Sequence, residues 1–219
     1  MNSSLLFQFK AAIYRSLLLL NGGTSMKITK KLSAVSRLLL FAGAVLLGIS
    51  ATLPWWGLDL EAPQYPEGLA IIVYPSKLAG QIDILNNLNH YIGMAEISEA
   101  GFPELQFIPY IIGGIAVLAA LASIFGLKKL AYLVCALFVV GGALGMYDMY
   151  HWLHTFGTDL SPDAPIKVDP FVPPVVGQNQ LANFTTYSSF RSGFYLLVLS
   201  AIGVFLGTWG EKLWAKKAA

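Results

Sequence analysis

The chain has three histidines and five methionines, and most of them fall into two short stretches. Asn89-His90-Tyr91-Ile92-Gly93-Met94 sets an imidazole and a thioether four residues apart, on one face if the segment is helical. Asp148-Met149-Tyr150-His151-Trp152-Leu153-His154 places Asp148, His151 and His154 three apart, with Met149 beside them. On one further turn of helix these three project along one side. A carboxylate and two imidazoles with thioethers close by suit copper, since imidazole binds either oxidation state and thioether favours Cu(I). Two histidines and a carboxylate are equally a zinc set, so zinc competes. The metal-free reading is hydrogen bonding at a membrane interface for Asp148, His151 and His154, and ordinary lipid-facing packing for Met149.

Other chemistries are poorly served. The single cysteine, Cys135, allows no intrachain disulfide and no cysteine-based zinc or iron–sulfur centre. The sequence carries no glycine-rich phosphate loop, no Ser/His/Asp arrangement and no Cys–His nucleophile. Apolar residues make up 56% of the chain and charged residues 12%, with mean hydropathy +0.62. That balance excludes a soluble globule, a disordered chain and a nucleic-acid binder relying on a basic face.

Four apolar stretches must position the candidate ligands, each near the roughly 20 residues that a bilayer core requires. They are 38–56, 107–127, 130–147 and 193–209, read as helices because backbone polar groups in lipid must be satisfied internally. Eleven of the 14 basic residues flank one side of these spans, whereas eleven of the 12 acidic residues flank the other. Basic flanks stay inside, so both termini are expected in the cytoplasm of a bacterial inner membrane. Segment 1–37 would be a cytoplasmic lead and 210–219 a cytoplasmic tail. Met26 is a second candidate start, which leaves 1–25 as an over-extended gene start or a short interfacial helix. The first span also has the layout of a cleaved signal peptide, against which stands its continuation to Trp55-Trp56.

The two outer loops, 57–106 and 148–192, carry whatever function there is. Leu69–Tyr74 ends at Pro75 and predicts a strand, with Gln81–Leu85 as its return and a short helix or turn over Asn86–Met94. Loop two holds five prolines between Pro162 and Pro174 and predicts extended, irregular chain over the helix ends. Gly141/Gly145 and Gly203/Gly207 form two G-x-x-x-G patterns, expected to serve packing within the chain. The expected fold is therefore an all-α membrane protein: four transmembrane helices under a small mixed cap with a β-hairpin in loop one.

Three strings, Glu61-Ala-Pro-Gln-Tyr-Pro-Glu-Gly-Leu69, Asn89-His-Tyr-Ile-Gly-Met94 and Pro173-Pro174…Gly177…Leu181-Ala-Asn183-Phe184, carry a resemblance. They resemble a poorly characterised family of small bacterial inner-membrane proteins associated with copper handling around nitrous oxide reductase maturation. The likeness covers roughly residues 36 to 210 and implies a context rather than a reaction, with His90 and Met94 as the matching motif residues. The expected function is that of an accessory protein. It would bind copper transiently through His90, Met94, His151 and His154, with Asp148 orienting or ligating and Met149 a further candidate, for delivery to a periplasmic copper enzyme or assembly of its metal centre. The alternative is a metal-free structural or assembly subunit of a larger membrane complex. A membrane enzyme using the same outer site is a third reading.

Overall fold

The structure is a computed structural model that describes residues 31–181 and 184–210. The expectations for the amino-terminal lead, the alternative start at Met26 and the carboxy-terminal tail lie outside the described residues. Leu32 onward forms one compact unit.

Five α-helices are described: α1 Ala34–Ser50, α2 Ile82–Ile92, α3 Ile108–Phe125, α4 Lys128–Thr158 and α5 Ser192–Trp209. Five strands accompany them: β1 Trp56–Ala62, β2 Tyr65–Tyr74, β3 Lys77–Gly80, β4 Gly177–Leu181 and β5 Phe184–Phe190. Three helices, α3, α4 and α5, are long and apolar enough to cross a membrane; α1 is apolar and one residue shorter than α3 and α5.

The strands correct the all-α expectation. All five pair antiparallel into one sheet of order β3-β2-β1-β5-β4, so the fold is mixed, with a sheet built from both loops. The proline-rich half of loop two hid the cause. Phe184-Thr-Thr-Tyr-Ser-Ser-Phe190 is aromatic and β-branched, the composition that fits a pleated, half-buried surface. It pairs in register with β1, from Trp56 opposite Phe190 to Glu61 opposite Thr185. In loop one the expected strand before Pro75 forms as β2, but its return is β3, and Ile82 onward is already helical.

Small and polar side chains hold the helices together. The Ser200 hydroxyl donates to Gly43 O and the Ser50 hydroxyl to Gly193 O, each at 2.7 Å. Arg37 caps α3 by donating to Ser123 O at 2.7 Å and Ile124 O at 2.6 Å, where carbonyls lack helical partners. A core of Leu40, Ala119, Ala122, Ala131, Val134, Cys135 and Val204 forms around these contacts. Under the sheet lies a second core of Leu78, Ile97 and Leu105, joined by Phe102 and by Phe156 from α4. The same helix thus takes part in both cores.

Candidate functional site

Helix α2 shows its buried face at Leu85 and Asn89, which leaves His90 and Tyr91 exposed. It stops at Ile92 because Gly93 adopts a left-handed conformation, φ 79°, and returns its N–H to the last turn. That is the ordinary glycine stop of a helix. Met94 therefore lies beyond the helix, its N–H donating to Asn89 O at 3.0 Å, and it does not share a helical face with His90. The expected four-residue pairing fails at that glycine. The turn is clasped by the chain that follows α4: Ser161 N–H donates to Gly93 O at 2.8 Å and Ile166 N–H to Tyr91 O at 2.9 Å. A Cβ on Gly93 would lie 2.8 Å from the Ala164 methyl.

Helix α4 has 31 residues, about 46 Å at 1.5 Å per residue, against a bilayer core of about 30 Å. That leaves roughly three turns, the length of the segment from Asp148 on, in excess of what a bilayer core requires. Two stripes of side chain run along this extension. Asp148, Trp152 and Phe156 recur at four-residue spacing and form the inner stripe. Phe102, from the chain leading into α3, meets it with ring centroids 4.6 Å from Trp152 and 5.8 Å from Phe156. Tyr147, Tyr150, His151, His154 and Thr158 form the outer stripe. There the Tyr147 and His151 rings stack, 6.3 Å apart, while Tyr150 lies 6.0 Å from His154. Both tyrosines are more than half exposed, and both histidines are exposed.

The Asp148/His151/His154 set is thus brought onto one helix but not onto one face. Each three-residue step falls about 60° short of a full turn, so Asp148 and His154 diverge by about 120°. Asp148 belongs to the Trp152 side. Burial there pushes its carboxyl up from the ordinary value and the Glu104 carboxylate adds to the rise. His151 and the hydrogen bond with Trp152 oppose it. Met149 is half-buried beside this stripe.

No hydrogen bond or ring contact joins His90 to His151 or His154 among the described residues. Nor do any three His, Cys, Asp or Glu side chains converge there as a ligand set. Among the described residues the five singled out by spacing are spread over α2, the turn after it and two sides of α4. What they leave is the His151–His154 pair. Phe102, Trp152 and Phe156, which brace it from behind, escaped the sequence reading. The signal was available, since Trp152 and Phe156 continue the four-residue spacing from Asp148. Comparison of the chain with known proteins finds no family model and no curated protein that matches it.

Proposed function

We propose that this chain is an accessory membrane protein that docks a protein partner on the outer stripe of the α4 extension. One observation carries the reading. Tyr147, Tyr150, His151 and His154 face outward from a helix whose opposite side is pinned by Phe102 to the core under the sheet. Exposed aromatic side chains on a rigid support suit an interface, because little conformational freedom is lost when they are covered. In this reading α1, α3, α4 and α5 are four spans of a bacterial inner membrane with the extension and the sheet on its outer side, a topology that the charge asymmetry of the flanks supports. Three basic against eleven acidic residues on that side favour a partner with a basic face. Tyrosines at this height also suit the lipid interface, which is the competing use of the stripe.

Photo-cross-linking in native membranes separates the two. A benzophenone side chain at position 150 is expected to give one discrete protein adduct that is absent when the probe sits at Val117, an exposed position on α3. Lipid adducts alone at position 150, or the same protein bands from both positions, would overturn the docking reading.

A further inference from the structure

The geometry points to a lipid slot between α3 and α4. One acyl chain of an amine-headed phospholipid lies against glycines midway along α4, with its ammonium beside Asp148 and Glu104. The inference goes beyond the docking reading and shares with it only the four-span topology.

The two helices are tied at both ends and bare between. Near the Gly126–Leu127 turn they share one core, to which Leu118 and Ala122 of α3 and Ala131, Cys135 and Phe138 of α4 belong. At the far end Phe102, from the chain leading into α3, meets Trp152 and Phe156. Residues seven apart point almost the same way on a helix. Position 145 therefore lies in line with Phe138 and Trp152, and 142 in line with Cys135 and Phe156. Both are glycines, and a Cβ on either meets nothing within 4 Å among the described residues. Val139 to Tyr147 are exposed without a break over about two and a half turns, so no side of α4 is covered there. On α3 the Leu118 stripe continues to Gly114 and Ile111, both exposed. The stripes that meet near the turn are thus bare farther along. Elsewhere a span glycine abuts its neighbour, as at Gly43, whose Cβ would lie 3.1 Å from Ser200 O. Gly142 and Gly145 give up helix propensity with no such contact inside the chain.

The upper rim is charged. Asp148 lies about 30 Å along α4 from Lys128, the thickness of a bilayer core, which sets its carboxylate at headgroup height. It and the Glu104 carboxylate repel each other, and neither has a cationic partner among the described residues. An ammonium there offsets the repulsion. A third helix, about 10–12 Å across, must run the depth of the bilayer and cannot pass between helices tied at both ends. A flexible acyl chain enters from the side. Two copies meeting at Gly145 would set Asp148 against its counterpart, which like charge opposes.

Full-length protein, purified in detergent and stripped of lipid, is titrated with palmitoyl-oleoyl phosphatidylethanolamine or phosphatidylglycerol and read by native mass spectrometry. The two lipids share chains and phosphate, so the comparison isolates the ammonium. Wild type is expected to take one phosphatidylethanolamine per chain, about tenfold tighter than phosphatidylglycerol. Asp148→Asn with Glu104→Gln should erase that preference. Gly142→Ile with Gly145→Ile should lose the lipid, whereas Val117→Ile, an exposed position off the Leu118 stripe, should keep it. Thermal unfolding checks that each variant is folded, and the carboxylate pair decides if the isoleucine pair is not. Equal wild-type affinity for the two lipids, a preference that survives loss of both carboxylates, or lipid retained in the folded isoleucine variant would overturn the slot. A co-purifying transmembrane protein released by the isoleucines in place of lipid would do the same. An adduct from position 150 in protein that binds no lipid leaves docking intact, and lipid binding without any adduct leaves the slot intact.

Discussion

Gly207→Ile is expected to empty the membrane of folded protein, whereas Gly145→Ile leaves folding unchanged. Both glycines end a G-x-x-x-G pattern, and both patterns were expected to pack within the chain. The structure divides them. A Cβ on Gly207 would lie 2.8 Å from Ser36 O, with Leu39 and Leu40 side-chain atoms at 3.2 and 3.3 Å. The obstacle is α1 backbone, which cannot rotate aside as a side chain would. Gly203 lies against the same helix, its Cβ direction 3.4 Å from Leu39 O. A branched side chain at 207 must push α1 and α5 apart and break the Ser200 to Gly43 hydrogen bond with them. The cost is about 3 kcal/mol or more, at the upper end for overpacking, because the clash is with main chain. A Cβ on Gly145 meets nothing within 4 Å, and substitutions at such sites usually stay within about 0.5 kcal/mol. Thermal unfolding in detergent reads both results. A large loss at 145, or none at 207, would mean that the helix packing is wrong.

Phe102→Ala carries the second large effect. This ring touches Trp152 and Phe156 and belongs to the core under the sheet. Full burial would set the cost of truncation at about 3–5 kcal/mol; Phe102 is half-buried, so about 2 kcal/mol is expected. The loss should be local. Between Ala136 and Phe156 helix α4 has no fully buried residue, so the aromatic bracket holds it to the cap together with the buried Gly157, whose carbonyl accepts from Phe171 N–H at 2.9 Å. Amide exchange over residues 148–158 should accelerate roughly thirtyfold while exchange over α1 and α5 stays unchanged. Uniform acceleration everywhere, or none in the extension, would contradict the bracket.

The sequence showed what hydropathy and charge control. The apolar stretches at 107–127, 130–147 and 193–209 match α3, the first two-thirds of α4, and α5, because segments of this length and apolarity have no other low-energy form in lipid. The cap was harder to read. Strand β5 finds its partner β1 more than 120 residues away, and pairing at that range leaves little local trace. Prolines upstream of β4 suggested irregular chain, yet they end at Pro174, before the strands begin. The candidate site was half legible. Three-residue spacing correctly placed Asp148, His151 and His154 on one helix, but a 3.6-residue repeat turns the carboxylate away from the second imidazole. Gly93 was a visible helix stop that the His90–Met94 pairing overlooked. The Thr158 hydroxyl sits four residues from His154, within reach only because α4 continues three turns past Tyr147.

The proposed function places the α4 extension outside the membrane with one face pinned and the other free. Single cysteines at Tyr150, His154 and Trp152, against the buried native Cys135, test it with a membrane-impermeant maleimide applied to intact cells whose outer membrane has been opened. That placement predicts prompt labelling at 150 and 154 and protection at 152. Labelling of 150 and 154 only after lysis, or equal labelling at all three positions, would contradict it.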